Sequence, residues 1–288
     1  MSYEVKILAD SIGPNGVRLT TFQLKYPRYI HSEMMTHRLF SRNASSSRAI
    51  PIEKMFEWIE SDVVMPVHWG SKKKGMQSGE QLTGDSLSVA NLAWIGAFRA
   101  VLGFAKIMNA VGLHKQIVNR MLEPWGHINV VLTATDFDNF FCLRCHKDAQ
   151  PEIQVLAVMM AIAYRDSVAT FLPAGDWHLP YVSKEEIASY PINDCIKFSA
   201  SRCCRISYLT MEGKTPDAAK DRMLHDQLID DYHMSPLEHQ ACSMEADDYS
   251  YSGNFRGWLQ YRKSIPMDSY QKFDYSTLDN FPNGYRIN

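Results

Sequence analysis

Hydrophobic and polar positions alternate near the beginning of the chain and then change to a helical spacing. Residues 5–9 and 17–26 alternate and contain β-branched side chains, which predicts two strands. In the following segment, residues 28–40, the hydrophobic side chains of Ile30 and Met34 recur at the spacing of one helical turn. We therefore predict a helix there, with one apolar side and one side that presents polar groups.

A long apolar segment dominates the middle of the chain. Residues 88–113 predict a helix that is interrupted near Gly96 and Gly103. The preceding residues 65–82 contain several Gly and Gln residues and predict a long loop, whereas residues 128–135 predict a further strand. Together these elements predict an α/β (α+β) fold.

Three further helices are predicted in the second half of the chain. They cover residues 136–144, 151–170 and 217–231. The third has a strong start signal, because Thr215 is a suitable N-cap and Pro216 suits the first helical position.

The domain organisation follows from length and from one change in composition. The chain has 288 residues, of which 45% are hydrophobic, which is enough for one large or two small domains with a sizeable core. Residues 172–190 are rich in Pro, Gly and aromatic residues and predict a connector. We therefore place an N-terminal portion over residues 1–172 and a C-terminal portion over residues 191–288.

Charge and cysteine usage exclude several classes of partner. The net charge of −2 argues against binding to nucleic acid or to an anionic membrane, because both require a basic face. The six cysteines are irregularly spaced, and we expect neither a signal peptide nor an apolar run of membrane-spanning length. A cytoplasmic location is predicted. Cys142 and Cys145 are predicted to be packing residues, and no metal site is expected.

The candidate chemistry is concentrated in residues 36–48, which contain three arginines and four serines. Guanidinium groups donate paired hydrogen bonds to phosphate, and serine hydroxyls add neutral donors. Small residues such as Ala44 let backbone N–H groups approach a ligand. The segment predicts an anion-binding cradle, although a solvated loop has the same composition.

The spacing within this segment and a second one carries a family resemblance. His37-Arg38 is followed by seven residues and Ser46, and Phe141-Cys142-Leu143-Arg144 is followed closely by Ala149-Gln150-Pro151-Glu152-Ile153. Both blocks resemble signature segments of the flavin-dependent thymidylate synthases. Residues 118–124 are similar to the family's helix that contributes a second phosphate-side arginine.

A third block has the family's pattern in an altered order. Arg205-Ile206-Ser207-Tyr208 and residues 233–239, His-Met-Ser-Pro-Leu-Glu-His, resemble segments that come first in the family but come last here. Residues 256–262 have the outline of a second, degenerate copy of the motif helix. The chain is therefore interpreted as an internally duplicated or rearranged relative, with a mixed sheet and long helices.

The resemblance implies an activity and its ligands. It implies FAD-dependent methylation of dUMP to dTMP, with methylenetetrahydrofolate as the carbon donor and NADPH as the reductant. The family is homotetrameric, and we predict a homodimer for this chain. The protein supplies position and electrostatics, while the cofactors carry the chemistry.

The resemblance also implies roles for individual residues. Arg144 is the predicted catalytic residue, because a fixed guanidinium stabilises negative charge that develops on the uracil ring. Ser46, Arg48 and Arg120 are predicted to hold the nucleotide, and Glu33 stands at a position that faces it. The predicted flavin-side and folate-side residues are His37, Arg38, Ser41, Asn43, Asn139, Ser207, His233, Ser235 and Glu238.

Departures from the family pattern leave alternatives open. Thr36, Ala44 and Ala49 replace an Arg, a Glu and a Tyr, and Glu33 replaces a Gln. An altered pocket is also compatible with a related flavin- and folate-dependent pyrimidine nucleotide hydroxymethyltransferase, or with a nucleotide-binding relative without turnover. Nucleophilic catalysis by Cys145 is rejected, because the prolines that precede the nucleophile in the flavin-independent synthases are absent.

Overall fold

A mixed five-stranded sheet forms the centre of the protein in a computed structural model, which describes residues 3–207 and 217–266. Its strand order is β3-β4-β2-β1-β5; only β5 runs parallel to its neighbour, β1. Strands within the described residues are β1 (Glu4–Ile12), β2 (Arg18–Pro27), β3 (Ser41–Ala44), β4 (His127–Ala134), β5 (Thr170–Phe171), β6 (Trp177–His178), β7 (Ala241–Ser243), β8 (Tyr251–Ser252), β9 (Phe255–Arg256) and β10 (Trp258–Gln260).

Helices pack on this sheet and beside it. Those within the described residues are α1 (His31–Met35), α2 (Ile52–Ser61), α3 (Gly84–Ala110), α4 (Lys115–Leu122), α5 (Asp138–Arg144), α6 (Pro151–Asp166), α7 (Lys184–Ser189), α8 (Ile192–Cys204) and α9 (Ala218–Asp230). The predicted α/β class, with a mixed sheet and long helices, is confirmed.

The main core lies on one face of the sheet. Every second residue of β2 and β4 points to this face, and Leu24 and Val130 are completely buried there. Phe140 of α5 and Leu156 of α6 pack against them. The alternation that predicted the strands is therefore the pattern of this buried face.

A second core lies between α2, α3 and α4. Met55, Phe98, Leu102 and Val118 are among its buried residues. Helix α3 is continuous, so the interruption predicted near its glycines is wrong. It is also long and apolar enough to cross a membrane by length and composition, with a mean hydropathy of 1.5, contrary to our expectation that the chain has no such run.

Helix α1 is shorter than the helix predicted over residues 28–40. A 3-10 turn, Arg28–Ile30, precedes it, and the Thr36 hydroxyl donates to the Glu33 carbonyl oxygen at its end. The Arg42 guanidinium donates to the carbonyl oxygens of Met34 and His37, at 2.8 and 3.1 Å. These bonds satisfy the terminal carbonyl groups, so the chain can leave the helix and enter β3.

Two sequence predictions near the end of the chain are corrected. Asp217 is the N-cap of helix α9, and its carboxylate accepts hydrogen bonds from backbone N–H groups in the first turn of the helix. Thr215 and Pro216 lie outside the described residues. The helical repeat predicted over residues 256–262 is wrong. Trp258 and Gln260 are buried while Leu259 is exposed, because this segment forms β10, followed by a 3-10 turn.

The predicted connector contains β6 and α7, and β6 pairs with β7 of the C-terminal portion. The division of the chain at residues 172–190 stays a prediction.

A chain of buried polar side chains joins β6 to the central sheet. His178 contacts Ser11 and Thr21 at 2.8 Å through its two ring nitrogens. Thr21 contacts Thr133, which in turn contacts His239, again at 2.8 Å. Burial lowers the pKa of His178 and of His239 to about 3, so both rings are neutral at pH 7.

These two histidines predict that acid destabilises the fold. Their pKa is about 6.5 in an unfolded chain, so the unfolded state binds more protons between pH 6.5 and 3. We expect the free energy of unfolding to fall below pH 6.5 by up to about 1.4 kcal/mol per pH unit for each histidine. Denaturant unfolding at pH 6.5, 5.75 and 5 measures this free energy. These pH values lie above the range in which ordinary carboxylates take up protons.

The control for this prediction is His146→Gln, which alters an exposed histidine. It should leave the pH dependence unchanged, whereas His239→Asn should reduce it. A wild-type free energy that stays constant from pH 6.5 to 5 would contradict the assignment.

Candidate nucleotide site

The predicted cradle is a turn between β3 and α2, and buried Asn119 of α4 holds it in place. The Asn119 amide donates to the carbonyl oxygens of Ser47 and Ile50, at 2.8 and 3.0 Å. The Ser47 hydroxyl donates to Glu123. With the turn fixed at these points, Arg48 projects from it toward α4.

Arg48 and Arg120 line one pocket between the cradle and α4, together with Gln116, Ile117 and Met121. Neither guanidinium has an acidic partner among residues 3–207 and 217–266. Most other arginines of the protein are paired: Arg28 with Glu123, for example, and Arg18 with Asp10. Two uncompensated guanidinium groups at one pocket attract an anion and match the geometry of phosphate.

A second pocket adjoins the first, because Arg48 and Gln116 line both. Its wall combines residues of the cradle with residues of the 233–239 segment, which resembles a segment that comes first in the family. The Ser235 hydroxyl donates to the Asn43 side chain at 3.1 Å, and the Asn43 amide donates to the Cys203 carbonyl oxygen at 2.8 Å. The residues that line this pocket are Asn43, Ser46, Arg48, Ala49, His114, Gln116, Cys204, Leu228, His233, Ser235 and Pro236.

A third pocket contains two other predicted residues, Arg38 and Glu238, along with His31, Phe40 and Arg42. Glu238 forms an ion pair with Arg262. Burial, assisted by the neighbouring arginines, lowers the pKa of His31 to about 4. The ring of His31 is therefore neutral at pH 7.

Ser41 lies behind this pocket and is completely buried. Its hydroxyl accepts hydrogen bonds from Gln260, at 3.1 Å, and from Asn254, at 3.4 Å. Ser41 thus ties β3 to the C-terminal segment.

Arg144 contacts helix α1. Its Nε donates to His37 Nε2 at 3.0 Å, and its Nη1 lies 3.3 Å from the Glu33 carboxylate. Because Arg144 donates to Nε2, that nitrogen carries no proton; burial, and next Arg144 itself, lower the pKa of His37. The structure thus pairs the predicted catalytic residue with Glu33, which was predicted to face the nucleotide.

The predicted residues consequently lie in separate places within one chain. Arg144 lines none of the three pockets described above, and neither does Asn139, which is exposed on α5. The side chain of Ser207 lies outside the described residues. The assignments of Arg144, Asn139 and Ser207 stay predictions.

Three polar residues that form or support the site had not been singled out from the sequence. Gln116 precedes Arg120 by four positions on α4, a spacing that places both on one helix face, so the signal was present in the sequence. His114 is the N-cap of that helix and accepts from the backbone N–H of Gln116 at 3.3 Å. Asn119 carried no signal, because its role depends on burial against a turn distant in sequence.

No model of a known protein family matches the sequence, and no curated protein matches it. Among solved structures, the UMP/dUMP methylase PolB from Streptomyces cacaoi bound with 5-Br dUMP is 16% identical, with a TM-score of 0.46 over 57% of this chain and 90% of that one. The same protein bound with 5-Br UMP is 14% identical, with a TM-score of 0.45 over 57% and 88%. These values identify neither a family nor an activity for this chain.

Proposed function

We propose that this protein binds a pyrimidine nucleoside monophosphate and transfers a one-carbon unit to carbon 5 of its base. The specific reaction is the methylation of dUMP to dTMP, with methylenetetrahydrofolate as carbon donor, NADPH as reductant and FAD as cofactor. The observation that carries the proposal is a pair of guanidinium groups, Arg48 and Arg120, at one pocket. Neither has an acidic partner in the described part of the chain, and the pocket lies beside a cradle whose spacing resembles the flavin-dependent thymidylate synthases.

The phosphate of the nucleotide fits the pocket between Arg48 and Arg120. A phosphate monoester carries close to two negative charges at pH 7, and each guanidinium offers a planar pair of donors. The Ser46 hydroxyl adds a neutral donor from the adjoining wall. Each charge-assisted bond contributes about 1.5–3 kcal/mol.

The adjoining pocket suits the uncharged remainder of the nucleotide. Asn43 and Ser235 supply neutral polar groups and His233 supplies ring nitrogens, while Leu228 and Pro236 supply apolar surface. A pyrimidine base has hydrogen-bonding edges and apolar faces, so it requires both kinds of contact. Because Arg48 lines both pockets, one ligand can place its phosphate in the first and its base in the second.

The third pocket has donors that fit a flavin dinucleotide. Arg38 and Arg42 provide two guanidinium groups for a diphosphate, and Phe40 and Met35 provide apolar surface for a ring. The ion pair with Arg262 compensates the nearby Glu238 carboxylate, which otherwise repels a diphosphate. When bound, the flavin supplies the reducing equivalents of the reaction.

Arg144 has the chemistry required at the base. Its guanidinium stays protonated at all relevant pH values, and contacts with His37 and Glu33 fix its orientation. A fixed positive charge stabilises the negative charge that accumulates on the N1/O2 side of the ring when carbon 5 becomes nucleophilic. Since Arg144 lines neither pocket that Arg48 lines, we propose that copies of the chain assemble to bring these groups together.

Arg48→Ala tests the phosphate assignment. We expect it to weaken dUMP binding about 10- to 100-fold, the equivalent of one charge-assisted bond, when measured by calorimetry. Binding of deoxyuridine, which lacks the phosphate, should hardly change. Wild-type protein should therefore prefer dUMP over deoxyuridine strongly, and the variant only weakly.

The matched control is Arg165→Ala, which removes an exposed arginine that is paired with Asp166 on α6. It should leave the affinity for dUMP unchanged. Equal affinity of wild type and Arg48→Ala for dUMP would contradict the phosphate site.

A further inference from the structure

The outer face of α3 is apolar and exposed over most of the length of the helix. Only 11% of its most apolar 18-residue window is buried, and Leu92, Phe104 and Ile107 are 72%, 60% and 60% exposed. Val89 and Val111 extend the same surface toward the two ends. Apolar surface of this extent is rare on a protein that has no partner.

The opposite face of α3 fixes the helix to the protein. Phe98, Leu102 and Ala105 are buried against α2 and α4 in the second core. Lys106 donates to Glu60 of α2 at 2.8 Å. One side of α3 is thus held by α2 and α4, and the outer face is the side that a partner can reach.

Small residues run along the centre of the exposed face. Ala93, Gly96, Ala100 and Gly103 follow one another at alternating steps of three and four positions, which keeps them on one seam. A methyl group on Gly96 or on Gly103 meets nothing within 4 Å. The seam is therefore open, and it lets the backbone of a second helix approach closely.

The size of the surface matches what a dimer requires. The five large exposed side chains, Val89, Leu92, Phe104, Ile107 and Val111, offer roughly 100 Å² each, or about 500 Å² per chain. Two copies that cover each other there bury about 1,000 Å², the lower limit for a specific protein interface, before the small residues are counted. A self-complementary surface is the requirement for pairing about a two-fold axis.

We propose that two copies of this chain form a homodimer through the outer faces of their α3 helices. The large exposed side chains lie toward the two ends of the seam and beside Gly103. In the dimer they pack around the point where the two helix backbones approach each other most closely. This surface is defined by α3 alone and does not depend on the proposed activity.

Light scattering of the full-length protein tests the proposal. The wild type should have twice the 33.0 kDa mass of one chain. Phe104→Glu and Gly103→Glu should each give a monomer, since a charge on the seam must lose its water when the helices pair. Val168→Glu, which adds the same charge at a residue 91% exposed outside α3, should remain a dimer.

Two further measurements, cross-linking and circular dichroism, distinguish loss of the dimer from loss of folding. Ala100 lies near the middle of the helix, so a cysteine introduced there by Ala100→Cys should form a disulfide between the two chains under mild oxidation. A cysteine introduced by Val168→Cys should not. Circular dichroism verifies that each variant keeps its helix content. A monomeric wild type, a dimeric Phe104→Glu variant, or a monomer that sediments with phosphatidylcholine vesicles would overturn the proposal; the last result would assign the face to a lipid surface.

Discussion

Arg144→Ala is expected to lower kcat for the one-carbon transfer about 100- to 1,000-fold, while the protein still binds flavin and dUMP within a few-fold of the wild type. Removal of one fixed donor from developing negative charge has an effect of this size. The side chain is half-buried beside Glu33 and His37 and belongs to neither hydrophobic core. Its loss should therefore leave folding intact.

The control for charge alone is Arg144→Lys. Lysine keeps the positive charge but cannot contact His37 and Glu33 with two separate nitrogens, so partial activity should remain. Single-turnover kinetics separates the chemical step from binding. If Arg144→Ala kept wild-type kcat, the assignment of Arg144 would be wrong.

Asp221→Ala is expected to destabilise the fold by about 3–5 kcal/mol, the typical effect of removing one partner from a buried ion pair. Asp221 is completely buried on α9, and its carboxylate accepts from Arg202 of α8 at 2.9 Å and also pairs with Arg205. Arg202 is itself only 2% exposed, so its charge would stay buried, with Glu186 as its remaining acidic partner.

Glu60→Ala is the control, because the Glu60 carboxylate on α2 pairs with Lys106 of α3 at 2.8 Å and both side chains are exposed. An exposed pair contributes about 0–1 kcal/mol, so this variant should unfold close to the wild type. Denaturant unfolding at pH 7 compares the two. Equal losses in both variants would show that burial of the Arg202–Asp221 pair has no special effect.

Three strands of the sheet, β1, β2 and β4, and the helices α3, α5, α6 and α9 could be predicted because their residues obey a local period. In β2 and β4 the alternating side chains face one core, and α6 begins where Pro151 suits a first helical position. The early end of helix α1 was not predicted, because Arg42, from the following strand, satisfies the last carbonyl groups. A contact of this kind has no signature in the periodicity of the helix itself.

In the candidate site, too, features with a local sequence signal were predicted, whereas features that depend on distant contacts were not. The spacing of residues 37–48 identified Ser46 and Arg48, and both line the proposed nucleotide pockets. Local sequence also favoured a copy of the motif helix over residues 256–262, but pairing of β10 with β7 overrides it. The Arg202–Asp221 pair was not recognised, because a charged residue in a sequence looks the same whether it is buried or exposed.

The central claim, one-carbon transfer to a pyrimidine nucleotide, is tested most directly by mass spectrometry of the nucleotide after reaction. Purified protein is incubated with FAD, NADPH, dUMP and methylenetetrahydrofolate that carries a labelled methylene carbon. We expect dTMP with the label in its methyl group, and no such product from a parallel incubation without the carbon donor. Unchanged dUMP in the presence of bound flavin would contradict one-carbon transfer, and a labelled hydroxymethyl product in place of dTMP would contradict methylation as the specific reaction.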